Sequence, residues 1–270
     1  MKQSYNELSE ERKKLQEQGR LPDWYSTAAW QMFKDKYLYK AKDTREQWER
    51  IAYTAAKHLP AEIQQKAFDK FFGMLWDQIL SPSTPVQSNA GTDRGFVVSC
   101  QGSYFGDSIY DFYKTRLELA VHSKKGFGTS GYLGSVRHRG SKISVGGKAE
   151  GLLPLLEGVI KDATYVSQGG VRRGSFAGYL ELDHQDFDEI VDHFHANPED
   201  FNIGWNVSDQ LAQDIWVNKT TDAKRRYKKA MAKLKMPKGR GYWMFPDKAN
   251  RLTTPAIKNS GISIKASNLC

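Results

Sequence analysis

Along the first eighty residues apolar side chains return every three or four positions, with short polar breaks between the runs. That period is the 3.6-residue repeat of helices with one buried face. Trp24, Ala28, Met32 and Phe33 follow Pro22, which sits where a helix can start. Thr44-x-x-Gln47 has the spacing of a capping box and predicts a helix with Trp48, Ile51, Ala52, Ala55, Ala56 and Leu59 on one face. After Pro60 a third run carries Phe68, Phe71, Phe72, Leu75 and Ile79, expected to pack in the core. The stretch "SPSTPVQSNAGTDRG" (Ser81–Gly95) breaks this pattern with prolines, glycines and hydroxyls, and predicts a boundary loop.

Beyond that loop the texture changes. Short apolar runs at Phe96–Cys100, Phe176–Leu182, Phe201–Val207, Tyr242–Phe245 and Ile262–Ala266 are expected strands. Amphipathic stretches separate them: Asp107-Ser108 opens a helix to about His122, another begins at Asp183, and Ser208-Asp209 caps a third. Strands alternating with helices predict parallel βα units. The chain therefore divides into a helical region, 1–83, and an α/β region, 84–270, with no internal repeat.

Charge and cysteine content narrow the class. The net charge is +9, but nine cations crowd into Lys224–Arg240. Tyr227, Met231 and Leu234 recur there at helical spacing, which predicts an amphipathic surface helix with its cations in water rather than a nucleic-acid face. Two cysteines make no disulfide framework, the start "MKQSYNELSEERKKLQEQG" has no signal-peptide core, and no stretch approaches a membrane span. A cytoplasmic protein without a membrane partner is the expectation.

Two glycine-rich loops carry the candidate chemistry. Lys124–Gly147 holds seven glycines among several cations, and "SQGGVRRG" (Ser167–Gly174) pairs glycines with Arg172 and Arg173. Glycine lets backbone N–H groups approach phosphate, and arginine grips it with two donors. Neither loop has P-loop spacing, and either alone reads more readily as a flexible surface turn than as a phosphate site. Asp107 is a helix cap or a ligand to a ribose or base. His193-x-His195 lacks a third metal ligand at sensible spacing and is expected at an exposed helix end. Cys100 is expected to end a strand, where parallel sheets place their ligands, and Cys270 also follows a strand-like run. Two such thiols beside a polyphosphate site point to redox chemistry on a nucleotide.

Four motifs then carry a resemblance: "STPVQSNAG…FVVSCQGSYFGDS" (Ser83–Ser108), "GSKISVGG" (Gly140–Gly147), "SQGGVRRGSFAGYL" (Ser167–Leu180) and "SNLC" (Ser267–Cys270). Their order and spacing, over nearly all of the chain from Leu21, resemble the large, catalytic subunit of ribonucleotide reductase. The resemblance implies an N-terminal helical region followed by the first half of a ten-stranded α/β barrel, with no ATP cone. It identifies Cys270 with the radical cysteine at the tip of a loop through the barrel, and Asn268 with the asparagine that orients the ribose hydroxyls. Cys100 corresponds to one member of the redox pair. Thr84, Ser99 and Arg172 correspond to substrate contacts, and Asp107, Ser108, Arg137, Ser167 and Gln168 to contacts with a dNTP or ATP effector.

The same resemblance implies reduction of a ribonucleoside diphosphate by a thiyl radical. It implies no cofactor in this chain, since a metal-containing small subunit supplies the radical. Thioredoxin or glutaredoxin would be the reductant, and two completed large subunits would pair as a homodimer. The glutamate two residues beyond the radical cysteine, the second redox cysteine, the radical-conducting tyrosines and the second half-barrel are not in these 270 residues. A C-terminal half is therefore an expected partner, whether the chain is a split-gene product, an interrupted precursor or a shortened sequence. "NLC" at the radical loop favours an oxygen-dependent class I enzyme over a cobalamin-dependent class II enzyme. A non-catalytic dNTP-binding regulator and a basic nucleic-acid-binding protein are the other readings.

Overall fold

A computed structural model describes residues 3–166, 174–197, 200, 202–235 and 241–268. The chain forms two compact units, one closing at Ser99 and the other opening at Cys100. No helix among the described residues is long and apolar enough to cross a membrane.

The first unit is helical: α1 (Tyr5–Glu17), α2 (Thr27–Lys36), α3 (Thr44–Ala56), α4 (Ala61–Trp76) and α5 (Thr84–Asn89). Its core gathers Trp30, Phe33, Trp48 and Leu75, with the Trp48 ring edge-on to Tyr25, Phe33 and Trp76. The cap of α3 lies one residue before the expected box. Asp43 is the N-cap and accepts from Glu46 N at 3.0 Å, which leaves Thr44 as the first helical residue. Gln47 is buried for another reason. Its amide donates to the carbonyls of Tyr37 and Gln87, each at 2.8 Å, and accepts from Tyr39 N. A buried amide with all these partners ties the segment after α2 and the helix α5 to α3. Of the third apolar run only Leu75 is fully buried, and Ile79 is 70% exposed, because α4 stops at Trp76 and leaves it beyond the helix. Inside the expected boundary loop the chain makes α5, whose Pro85 sits in the first turn, where no N–H is needed.

The second unit alternates strand and helix. Its strands are β1 (Cys100–Tyr104), β2 (Gly128–Tyr132), β3 (Phe176–Glu181), β4 (Asn202–Asn206) and β5 (Tyr242–Met244). Between them lie α6 (Ile109–Lys124), α7 (Leu153–Tyr165), α8 (Phe187–Ala196), α9 (Asp209–Trp216) and α10 (Thr221–Leu234), and after β5 come α11 (Pro246–Leu252) and α12 (Pro255–Asn259). All pairings are parallel, in the order β1-β2-β3-β4-β5. Alternate strand residues (Phe176 and Leu180, Ile203 and Trp205) enter one apolar cluster with Phe187, Ile190 and Phe194 of α8. The other alternates, Cys100, Ser130, Tyr132, Tyr179, Glu181 and Asn206, lie on the opposite, polar face.

Three strand expectations change. The run Phe96–Val98 is exposed and outside the sheet, and Cys100 opens β1 instead of ending a strand. Apolar residues make a strand only where a ladder partner exists, and here β2 pairs with Cys100–Tyr104. β2 itself lies inside the glycine-rich stretch read as a loop. Its Gly131 is there for space, since a Cβ would sit 2.8 Å from the Phe105 ring and 3.1 Å from that of Phe176. Ile262–Ala266 joins no ladder among the described residues and runs as a strap without regular secondary structure. On α10 the cations are not simply in water: Arg225 grips Asp188 at 2.7 and 2.9 Å, and Lys229 reaches Asp188 and Asp192 at 2.8 Å. His193 is half-buried, its Nε2 at 2.9 Å from Asp200, so that helix end is packed rather than exposed.

Candidate functional site

Two places in the α/β unit gather the sequence-predicted residues. The first is the polar face of the sheet. Asn250 on α11 holds the strap at Ile264 through two bonds, accepting from its N–H at 2.7 Å and donating to its carbonyl at 3.0 Å. Asn206 on β4 donates to Lys265 O at 2.8 Å, and the Tyr179 hydroxyl bonds the Ser267 side chain. At the end of this run Asn268 Nδ2 donates to the carbonyl of Cys100 at 3.0 Å. The strap thus crosses from β4 to β1 held mainly by side chains, and delivers Asn268 to Cys100. The Cys100 side chain is buried at the start of β1.

Beneath the strap the face is polar. Tyr132 donates to Glu181 Oε1 at 2.7 Å, and burial, reinforced by that bond, raises the phenol above its ordinary pKa. Burial also raises Tyr179. Asn206 approaches Glu181 Oε1 at 3.4 Å. Ser130 Oγ, Glu181 Oε2 and Asn206 Oδ1 are buried without a hydrogen-bond partner among the described residues. Buried polar atoms of this kind are costly and concentrate where a protein binds or reacts. Gly204 supplies room, because a Cβ there would meet the Tyr179 ring at 2.3 Å.

The second place is a cavity of about 730 Å³ at the C-terminal ends of β1 and β2, the end at which open α/β sheets bind ligands. It lies against the N-terminus of α6, where Ser108 caps by accepting from Asp111 N at 3.1 Å. Asp107 is therefore not the cap. Its carboxylate accepts from Arg137 N at 3.0 Å and from Arg137 Nε at 2.8 Å. Ile109, Tyr110, Tyr113, Ile143 and Val145 give the cavity apolar walls. Arg116 stands there too, its guanidinium hydrogen-bonded to Asp162 at 2.7 and 3.0 Å, which raises its pKa. Apolar walls, an arginine and a 16-residue helix N-terminus suit a flat ring carrying phosphates.

Asp107, Ser108 and Arg137 thus meet at the cavity, and Cys100 and Asn268 meet on the sheet face. Thr84 is the first residue of α5 and Ser99 the last of the helical unit. Arg172, Ser167, Gln168 and Cys270 lie outside the described residues. Sequence reading missed Tyr132, Glu181, Asn206 and Asn250. Glu181 and Asn206 could have been found from the period of two in their strands, which puts polar residues on one face, whereas Tyr132 lies in the glycine-rich β2 and, like Asn250, had no local signal.

The chain matches two family models: the ribonucleotide reductase all-alpha domain over residues 23–95 and the ribonucleotide reductase barrel domain over residues 95–220. It is 28% identical over 207 residues to a vitamin B12-dependent ribonucleoside-diphosphate reductase of Mycobacterium tuberculosis, covering 72% of this chain and 30% of the relative. With ribonucleoside-diphosphate reductase large chain 2 of Saccharomyces cerevisiae it shares 33% identity over 126 residues, 46% of this chain and 14% of the relative. Among solved structures it matches the Actinobacillus ureae class Id ribonucleotide reductase alpha subunit with a TM-score of 0.79 and 30% identity, over 92% of this chain and 45% of that one. The chain spans less than half the length of each of these proteins.

Proposed function

The chain belongs to the ribonucleotide reductase large-subunit family, and from that premise we propose that it forms the N-terminal part of the catalytic machinery of a class I ribonucleoside-diphosphate reductase. The observation that carries this reading is the strap whose Asn268 reaches Cys100 across the polar face. Two residues further on stands Cys270. As a thiyl radical it takes the 3′-hydrogen of the ribose, and Asn268 holds the ribose hydroxyls by hydrogen bonding. The 2′-hydroxyl leaves as water, with Cys100 and a second thiol supplying two protons and two electrons as they close to a disulfide. Cys270 then returns the hydrogen to C3′. Thr84, Ser99 and Arg172 bind the substrate. The second thiol comes from a C-terminal half-barrel, the radical from a metal-containing small subunit, and re-reduction from thioredoxin or glutaredoxin. Leu269 in "NLC" favours class I over a cobalamin-dependent enzyme.

The Asp107–Arg137 cavity is the site of a nucleoside triphosphate effector, with the phosphates toward Arg137 and the base among the apolar walls. Beside it Tyr110, Tyr113, Leu117 and Val121 leave an exposed apolar stripe along α6, the surface on which two completed subunits pair. Joined to the rest of a reductase barrel and mixed with a radical-generating small subunit, the chain is expected to yield deoxyribonucleoside diphosphate. Cys100→Ser and Cys270→Ser are each expected to abolish turnover. Product formation by Cys270→Ser would overturn the radical assignment, and failure of the chain to bind dATP or dTTP saturably would overturn the effector assignment.

A further inference from the structure

One wall of the cavity is a finger of chain between Arg139 and Leu152. Gly140 N donates to Ala149 O at 2.9 Å, Ala149 N to Ser141 O at 2.8 Å, and Lys142 and Lys148 form an antiparallel bridge. From this finger Ile143, Ser144 and Val145 line the cavity. Its two ends meet at one carboxylate. Asp186, 5% exposed, accepts from Arg139 N through Oδ1 and from Leu152 N through Oδ2, both at 2.9 Å. Asp186 is itself set in place, since its N–H donates to His184 Nδ1 at 3.1 Å and His184 Nε2 stands 3.2 Å from Val136 O.

The neighbouring backbone is shaped around this clamp. Gly151 has φ +78°, and a Cβ there would lie 2.7 Å from Asp186 Oδ2 and 2.8 Å from Arg139 Cβ. Both the conformation and the space call for glycine. A carboxylate bonded to two backbone N–H groups is a strong and directional acceptor. Here it closes a loop whose other end faces the ligand.

We propose that Asp186 is a positioning residue that sets the cavity's affinity for a nucleoside triphosphate by clamping both ends of the finger, without touching the nucleotide. The proposal rests on reading the cavity as a nucleotide site. Released at its base, the finger loses the fixed placement of Ile143–Val145, and binding must then supply the ordering that the clamp now provides.

The test uses the whole chain with three variants at the clamp and one beside it. Asp186→Ala removes both acceptors, Asp186→Asn keeps one, and Gly151→Ala obstructs the approach. Arg139→Gln leaves the backbone N–H groups in place while removing the side-chain pairs with Glu150 and Glu189. Trypsin cleavage after Lys142 and Lys148 under native conditions, thermal melting and dATP affinity are read for each. Cleavage is expected to rise, and affinity to fall by roughly tenfold or more, in Asp186→Ala and Gly151→Ala. Asp186→Asn should fall between these and the parent, and Arg139→Gln within about twofold of the parent. A merely structural role would lower melting and raise cleavage everywhere, so cleavage confined to the finger supports the clamp. Unchanged dATP affinity in Asp186→Ala and Gly151→Ala overturns the proposal. Faster finger cleavage in a chain whose parent binds no dATP overturns the nucleotide reading instead.

Discussion

Replacing Asn250 with alanine tests whether side chains, in place of a ladder, hold the strap on the sheet. Asn250 makes two bonds to Ile264, at 2.7 Å from its N–H and 3.0 Å to its carbonyl, and a third to Pro246 O at 2.8 Å. Each neutral hydrogen bond of this kind stabilises by about 0.5–1.5 kcal/mol net, so losing the two strap bonds costs about 1–3 kcal/mol. Because Asn206, Tyr179 and Asn268 hold the strap elsewhere, the cost falls on local opening around Ile264 and not on global unfolding. A cost of that size raises the local opening constant roughly 5- to 150-fold. Hydrogen exchange of the peptide containing Ile264 is expected to accelerate by that factor, while β3 and β4 exchange as in the parent. Asn250→Asp, which keeps the acceptor for Ile264 N, should fall between the two. In a reconstituted reductase turnover should drop with effector affinity unchanged. Exchange at Ile264 within twofold of the parent would refute the tethering argument.

Three further outcomes follow from the same geometry. Gly204→Ala drives a methyl to 2.3 Å from the Tyr179 ring and should destabilise the α/β unit by about 1–3 kcal/mol, read as a fall in Tm. Asp107→Asn removes the charge that holds Arg137 at the cavity. It is expected to weaken dATP binding by roughly tenfold with little change in melting, and an unchanged affinity would remove Asp107 from the site. Asp188 has its carboxyl held well below the ordinary carboxylate range, first by the hydrogen bond from Arg225 and then by Lys229. A depressed folded pKa contributes stability above the unfolded value, and that contribution is lost as pH falls through the folded one. Asp188→Asn should therefore be less stable than the parent at pH 7, by no more than about 1 kcal/mol because the pair is half exposed. The gap should close as the pH drops below about 4, and a gap that widens in acid would contradict the assignment.

What could be read along the chain was whatever leaves a local trace. The helical lead-in announced itself through its three-and-four period, and β3, β4 and β5 through short β-rich runs between capped helices. β2 did not, since "GTSGY" has glycines where the sheet needs room for Phe105 and Phe176, and glycine in isolation reads as a turn. The strand expected at Phe96–Cys100 slipped because apolarity alone does not choose a register, whereas pairing with Gly128–Tyr132 does. Cys100 consequently sits at the opposite end of its strand from the expected one, and the cavity at the strand C-termini belongs to Asp107 and Arg137.

By itself the sequence determined the family and the order of a helical and an α/β region, and it singled out Cys100, Asn268, Asp107 and Arg137 as candidates, because residue types in order and spacing survive without a fold. Only the tertiary structure decided that Asn268 bonds the carbonyl of a residue 168 positions earlier, that Glu181 and Asn206 lie beneath the strap, and that Asp186 grips both ends of a finger. Hydrogen bonds act over about 3 Å of space, and chain distance says nothing about which groups the packed sheet brings that close.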